Sequence, residues 1–265
     1  MLNKLLNYLA LAGAYFRLNL KAQFEYRFAF ISQAVAMFVN DCIWLVYFIL
    51  FFDKFPVLNG WHAADVATLW AVTAAGFGIA HAFFGNALWL PGIIVRGELD
   101  TWLLYPRALL PHLVLGRISP SAFGDAIFGY IVYIAIVHPD LPHFLLFTLM
   151  TFTIALLFVG FSVATGSLGF YLGNAESLAE HWRGSLIAFS TYPMGMFKGN
   201  VRLLLYTVVP AGFVSGFPID ALQKMSLLHA AYSLGGALLA VALAVVVFYH
   251  GLSRYESGNM VAMRG

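Results

Sequence analysis

The stretch FLLFTLMTFTIALLFVGFSVATGSLGFYLG, residues 144–173, carries no charged side chain over 30 residues. A helix needs about 20 mainly apolar residues to cross a hydrocarbon layer about 30 Å thick. Phe144–Gly173 therefore reads as a membrane span, and it sets the solvent for the rest of the chain. Four further segments meet or nearly meet the same length. They are Phe28–Phe52, broken by Asn40 and Asp41; Val66–Leu90; Ile118–Val137, with Asp125 inside it; and the uncharged Met225–Tyr249. Trp182–Phe197 is shorter and reaches span length only if it begins near Ser177 and takes in Glu180 and Arg183. Those two stand three residues apart on a helix and can pair.

Composition agrees. Of 265 residues, 62% are hydrophobic and 10% charged, and the mean hydropathy is +0.84. Water-soluble domains average about 25% charged residues, so a soluble enzyme, a secreted disulfide domain, a nucleic-acid binder and a disordered chain are excluded together. The single cysteine, Cys42, lies in an apolar run and reads as a small buried side chain. No cleavable signal peptide is expected, because the first 27 residues carry Lys4, Arg17, Lys21 and Arg27 without a compact apolar core.

Val201–Pro218 is apolar after Arg202, but Pro210 interrupts it and Gly212 and Gly216 follow. Proline removes a helix donor and kinks the chain. A re-entrant pair of short helices fits better than one span, provided protein or a water-filled cavity covers the irregular backbone. Six spans result. With the N-terminus inside, ten basic residues fall inside (Lys4, Arg17, Lys21, Arg27, Arg96, Arg107, Arg117, Arg183, Arg254, Arg264) and four outside (Lys54, Lys198, Arg202, Lys224). A seventh span through Pro210 changes this to nine and five, so the proline and glycines carry the decision. Ahead of the first span, Leu2, Leu5, Leu6, Leu9, Gly13, Phe16, Leu20 and Phe24 share one face of a helical wheel, with Leu11 and Leu18 opposite. This reads as a basic interfacial helix over residues 1–27, or equally as a helix packed on other protein. The expected fold is an all-α integral membrane protein of one transmembrane domain, residues 1–265, with a six-span bundle over 28–265.

Several chemistries find no motif. No lysine has P-loop context, no HExxH or paired-cysteine spacing exists, and GxSxG does not occur. His138 and His143 flank the Asp140 turn as exposed loop residues rather than metal ligands. No cofactor is expected in this chain. Inside the spans stand Asn40, Asp41, His81, Asn86 and Asp125. A carboxylate at mid-membrane costs roughly 2.5–3.5 kcal/mol on insertion scales and usually faces a bundle interior. These five residues either line a path or subunit interface, or hold helices together by hydrogen bonds. Gly169 and Gly173, following Gly166, form a small-xxx-small pair that lets helices approach closely.

The loop RGELDTWLLYPRALLPHLVLGR, Arg96–Arg117, lies inside by this topology. A helix over Glu98–Leu104 would carry acids at its N-terminus, where the helix dipole favours them, and Pro106 and Pro111 then break the chain. Trp102, Leu103, Leu104 and Tyr105 are too apolar for an idle loop. They bury against the protein's own membrane surface or form a socket for a soluble partner.

At these residues the chain resembles a known family, the membrane subunits of ATP-binding-cassette exporters of the type-2 permease class, in the six-span branch without a fused ATPase. The resemblance covers most of the chain: FEYRFAFISQ, GELDTWLLYPR and YPMGMFKGNVRLLLYTVVPAGFVSGFP. Its most specific part is GxLDxxLLxP, met by Gly97, Leu99, Asp100, Leu103, Leu104 and Pro106. The resemblance implies an ATPase-coupling helix at Glu98–Leu104, with Trp102 and Tyr105 in the same contact. It also implies an outer re-entrant hairpin at Val201–Pro218, and a bacterial-type inner (plasma) membrane with both termini cytoplasmic. The implied partners are an ABC ATPase subunit, which holds ATP and Mg, a second permease subunit and the lipid bilayer, with no nucleic acid. The implied function is outward movement of an amphipathic, lipid-like or drug-like compound, without an ATPase site in this chain. Two rivals remain: an ion-coupled carrier using Asp41 and Asp125 as proton sites, and a purely structural membrane scaffold.

Overall fold

Burial separates the long helices. Of the most apolar window in Ala63–Val95, 72% is buried by the rest of the chain, against 17% in Arg27–Lys54 and 22% in Leu227–Leu252. A helix that is apolar all round and left uncovered by its own chain is suited to lipid rather than water. The computed structural model describes residues 2–57 and 60–256, and within the first helix the side chains of Tyr8 and of residues from Ala10 onward. Arg264 lies outside the described residues, as do the side chains of Leu2, Lys4, Leu5, Leu6 and Leu9.

Among the described residues every regular element is a helix. In chain order they are α1 (Leu2–Glu25), α2 (Arg27–Lys54), α3 (Ala63–Phe84), α4 (Leu90–Val95), α5 (Leu99–Leu103), α6 (Leu109–Val114), α7 (Ser121–Val132), α8 (Leu141–Gly166), α9 (Ala175–Ser190), α10 (Gly199–Thr207), α11 (Gly212–Ser215), α12 (Phe217–Lys224) and α13 (Leu227–Leu252). A tight 3-10 turn, Gly85–Leu88, joins α3 to α4, and Pro91 sits in the first turn of α4, where its missing N–H costs nothing. A π turn, Tyr133–Val137, extends α7.

Four of these helices are long and apolar enough to cross a membrane: Arg27–Lys54, Ala63–Val95, Leu141–Phe170 and Leu227–Leu252. They coincide with four of the expected spans. Helices α10 and α11–α12 make a fifth only if counted together across an 89° bend. The bend has a local cause. Tyr206 folds back over Gly212, and a Cβ there would come within 2.4 Å of its ring. Ser121–Val137 is a shorter apolar helix, and α9 has 16 residues and stops at Ser190, ahead of Pro193.

Three local expectations change. Glu180 and Arg183 form no ion pair, although their spacing allows one. Gly173 lies exposed beyond the helix end, because α8 tightens into a 3-10 turn at Ser167–Phe170 and stops. The close approach is made instead by Gly166 and Gly169, which rest on Leu90, Pro91 and Ile94 of α4. The face of α1 is also rotated from the wheel. Leu11, Tyr15, Phe16, Asn19 and Leu20 are half-buried, while Gly13 and Phe24 point away. Phe16 stacks on Phe83 (4.8 Å between ring centroids) and meets Phe123. The polar Tyr15 and Asn19 take inward places because the surface beneath offers them partners, as described next.

Candidate functional site

The 96–117 loop is built on a second cluster of buried apolar residues. Leu99 of α5 is wholly buried there among Leu90, Ile94, Leu113, Phe170 and Phe248. The chain enters α5 through Gly97 at φ +73°, a left-handed conformation open to glycine and costly for other residues. Arg96 then closes a bridge between distant parts of the chain. Its Nε donates to Glu98 Oε1 at 2.7 Å and its Nη1 to Glu176 Oε2 of α9 at 3.1 Å. The Glu98 hydrogen bond, ahead of any burial, pushes the guanidinium further above its already high value.

The remaining loop residues divide. Trp102 is half-buried, edge-on to His112 at 5.1 Å and tight against Gly116. Leu103, Leu104 and Tyr105 are 47%, 83% and 57% exposed, so the loop's apolar content is only partly used by the chain itself. His112 is buried; its Nδ1 meets the Tyr15 hydroxyl of α1 at 2.6 Å. Burial, and then Arg107, lowers the His112 pKa, which favours the neutral ring that can accept this bond. Asn19 of α1 donates to the Leu115 carbonyl (3.2 Å) and Asn86 to the Leu113 carbonyl (2.8 Å). Beyond α13, the Tyr255 hydroxyl lies against Asp100; burial first, and that carboxylate second, push it up to about 12. The loop is thus tethered to α1, the Gly85–Leu88 turn, α9 and the end of α13. The sequence carried no sign of the Arg96–Glu176, His112–Tyr15 or Asn86–Leu113 contacts, whose partners lie 80, 97 and 27 residues apart.

The second polar locus lies within the bundle. Helices α2 and α7 touch where Gly124 faces the Ala34 carbonyl, a Cβ there falling 2.1 Å from that oxygen. The crossing brings Asp41 of α2 and Asp125 of α7 together, each carboxyl acting on the other. Asp41 is 6% exposed and Asp125 3%, and Oδ2 of each has no hydrogen-bond partner. Both line a cavity of about 190 Å³ together with Asn40, Trp44, Trp70 and Phe77. His81 and Asn86 are not on its wall. His81 donates from Nδ1 to the Phe77 carbonyl (2.9 Å), packs on the Phe77 ring and is fully buried, while Asn86 serves the loop. At the opposite turn, Asp140 caps α8 by accepting from the His143 N–H at 3.0 Å. Hydrogen bonds from the His143 backbone and ring, the backbone one leading, hold its carboxyl below the usual range.

The family model described as ABC-2 family transporter protein matches residues 38–259, which takes in the carboxyl pocket, the loop and everything up to the end of α13. The chain belongs to this family. Comparison with curated proteins and with solved structures gives no match. This ABC-2 protein is therefore a multi-pass, membrane-embedded transport component, an ABC permease rather than the catalytic part of its transporter. Membership implies partnership with an ABC ATPase. Helix α1, whose Tyr15 and Asn19 bond the 96–117 loop, lies ahead of the matched residues.

Proposed function

We propose that this chain is the permease half of a two-plus-two exporter, in which two permease subunits form the path and two ATPase subunits drive it through α5. The observation that carries this reading is the division of the 96–117 loop. Its base is locked to α9, α1 and the end of α13, while Leu103 and Leu104 stand exposed at its tip beside Tyr105, one side of which packs on His112. Exposed apolar side chains on an anchored element suit a partner surface, and the anchors would pass movement of that surface into the bundle.

Six spans with the loop in the cytoplasm are supported by which ends meet. Glu176 at the start of α9 joins Arg96, and near its end Ser190 accepts from Thr73 (3.5 Å). Helix α9 therefore reaches from the loop end of α4 to the level of Thr73 in α3, its 16 residues giving about 24 Å at 1.5 Å each. Around Gly60 and Trp61 one cavity gathers Gly195, Arg202, Gln223 and Lys224. The entrance and exit of the α10–α12 hairpin thus share one end of the bundle, as a re-entrant element requires. The cargo we assign is an amphipathic compound moved outward, from a bacterial-type inner membrane.

Co-purification in mild detergent tests the partnership, with a Walker-motif ATPase expected beside this chain. Replacing Leu103 and Leu104 together by Ser should leave the chain folded and reduce substrate-stimulated ATP hydrolysis at least tenfold. Normal coupling in that variant would refute the role of α5. Uptake driven by a pH gradient in ATPase-free vesicles, abolished by Asp41→Asn, would establish the ion-coupled carrier instead.

A further inference from the structure

We propose that the cavity between α2, α3 and α7 is a binding site for an organic cation, the Asp41–Asp125 pair supplying the charge and the surrounding rings the contact surface. The inference rests on the permease reading and names the chemical class of its cargo: an amphipathic compound with a positively charged, partly apolar head, such as a quaternary or protonated amine.

Two carboxyls buried to 94% or more by their exposures of 6% and 3% stand face to face, with no basic side chain on the cavity wall. An uncompensated carboxylate in an apolar setting is costly, and it is normally paired or ligating. Asn40 and the two carboxyls bond one another, but among the described residues no donor reaches Oδ2 of either acid and no positive partner lines the cavity. The α2–α7 crossing at Gly124 presses the two acids together instead of letting them part.

The other walls point to the same class of ligand. Trp44 and Trp70 lie nearly parallel, 25° apart with ring centroids at 6.2 Å, and Phe77 and Phe158 stand edge to face at 5.4 Å; all four border the cavity. Aromatic faces attract cations, and quaternary ammonium groups are held in such cages. The volume of about 190 Å³ exceeds the roughly 150 Å³ of an engineered cavity that admits benzene, so a trimethylammonium-sized head fits. Trp44 is 49% exposed on the outward side of α2, which most of that helix turns to lipid. A ligand can therefore place its head at the carboxyls with its tail outside the bundle. Asp41 lies at the midpoint of α2, too deep for a soluble anion or a large polar sugar to be favoured.

The test uses the full chain in lipid nanodiscs and the probe benzyltrimethylammonium, whose charge does not titrate, beside its neutral carbon isostere neopentylbenzene. Titration calorimetry should show the cation binding at least tenfold more tightly than the isostere. Asp41→Asn and Asp125→Asn should each weaken the cation at least tenfold and leave the isostere within twofold. Trp44→Leu, an apolar replacement at a half-exposed position, should weaken the cation severalfold and keeps the test informative if an Asp variant fails to fold. Equal affinity for cation and isostere in the natural chain, or a cation affinity unmoved by Trp44→Leu and either Asp variant, would overturn the proposal. Its failure is distinct from failure of the permease reading. An ATPase that co-purifies with a chain blind to the cation refutes only the pocket, and cation binding without any ATPase partner refutes only the two-plus-two assembly.

Discussion

In the 96–117 loop, Arg96, His112 and the Leu113 carbonyl are each met by a partner from another part of the chain: Glu176, Tyr15 and Asn86. In the α2–α7 cavity, Asp41 and Asp125 are met by each other and by the neighbouring Asn40, with no basic partner on the wall and Oδ2 of both left without a donor. Both regions bury polar groups, yet one is satisfied internally and the other is not. A satisfied network holds one geometry and suits an element that must transmit movement. An unsatisfied pair inside a cavity suits a region that waits for something from outside. On the proposed reading the contrast separates transmission from reception within one short membrane protein, and it can be broken from either side.

The largest effect should come from the crossing that creates the pocket. Gly124→Leu places a side chain where a Cβ alone meets the Ala34 carbonyl at 2.1 Å, and backbone cannot yield as a side-chain tip does. Overpacking typically costs about 1–3 kcal/mol and occasionally more. With no room at all between the helices, we expect the upper end, with α2 displaced from α7. Cysteine pairs engineered across α2 and α7 should then cross-link in the natural chain and not in the variant. Efficient cross-linking in both would show that Gly124 does not set the pocket.

A smaller loss is expected at the loop. Gly97→Ala meets nothing closer than 4.0 Å, the Tyr255 hydroxyl, so its effect is conformational. A non-glycine residue at φ +73° costs about 1–2 kcal/mol. The variant should melt a few degrees lower, and Gly97→Asn should recover part of the loss because Asn tolerates this region better. An unchanged melting temperature would mean that the entry to α5 is not held in this conformation.

The smallest effect concerns α1. Burial lowers the pKa of docked His112 below its ordinary 6.5, and release of α1 returns the ring to water. Between the two values the released form binds the extra proton, so docking is full above about pH 6.5 and weakens as the pH falls below it. Hydrogen exchange in α1 should accelerate on acidification through that window. Tyr15→Phe, which removes the bond to Nδ1, should accelerate it at every pH and reduce the pH dependence.

Much of the fold was legible in residues alone. Length and the absence of charge mark α2, α3, α8 and α13, because lipid demands both properties within one contiguous segment. The kink before α11 was legible from Pro210, Gly212 and Gly216, because backbone chemistry is local. The helix at Glu98–Leu104 was legible from its acids and the prolines after it, and α5 with its two caps fills that range. The amphipathic wheel of α1 holds at Phe16, Leu20 and the exposed Leu18 and misses at Leu11, Gly13 and Phe24, because the surface beneath rewards Tyr15 and Asn19 with hydrogen bonds that no hydrophobicity pattern records. The glycine pair failed at Gly173, because helix α8 ends before it.

From composition and span length the chain could be known as a membrane protein whose acids need an explanation. Periodicity could not say that Asp41 meets Asp125, that Trp102 turns inward while Leu104 turns out, or that Arg96 ties α4 to α9. Helix formation depends on neighbours within a few residues, and one chain of amino acids contains all of them. Which helix faces meet depends on where small residues permit two backbones to touch, as at Gly124, and that is settled only when distant segments pack.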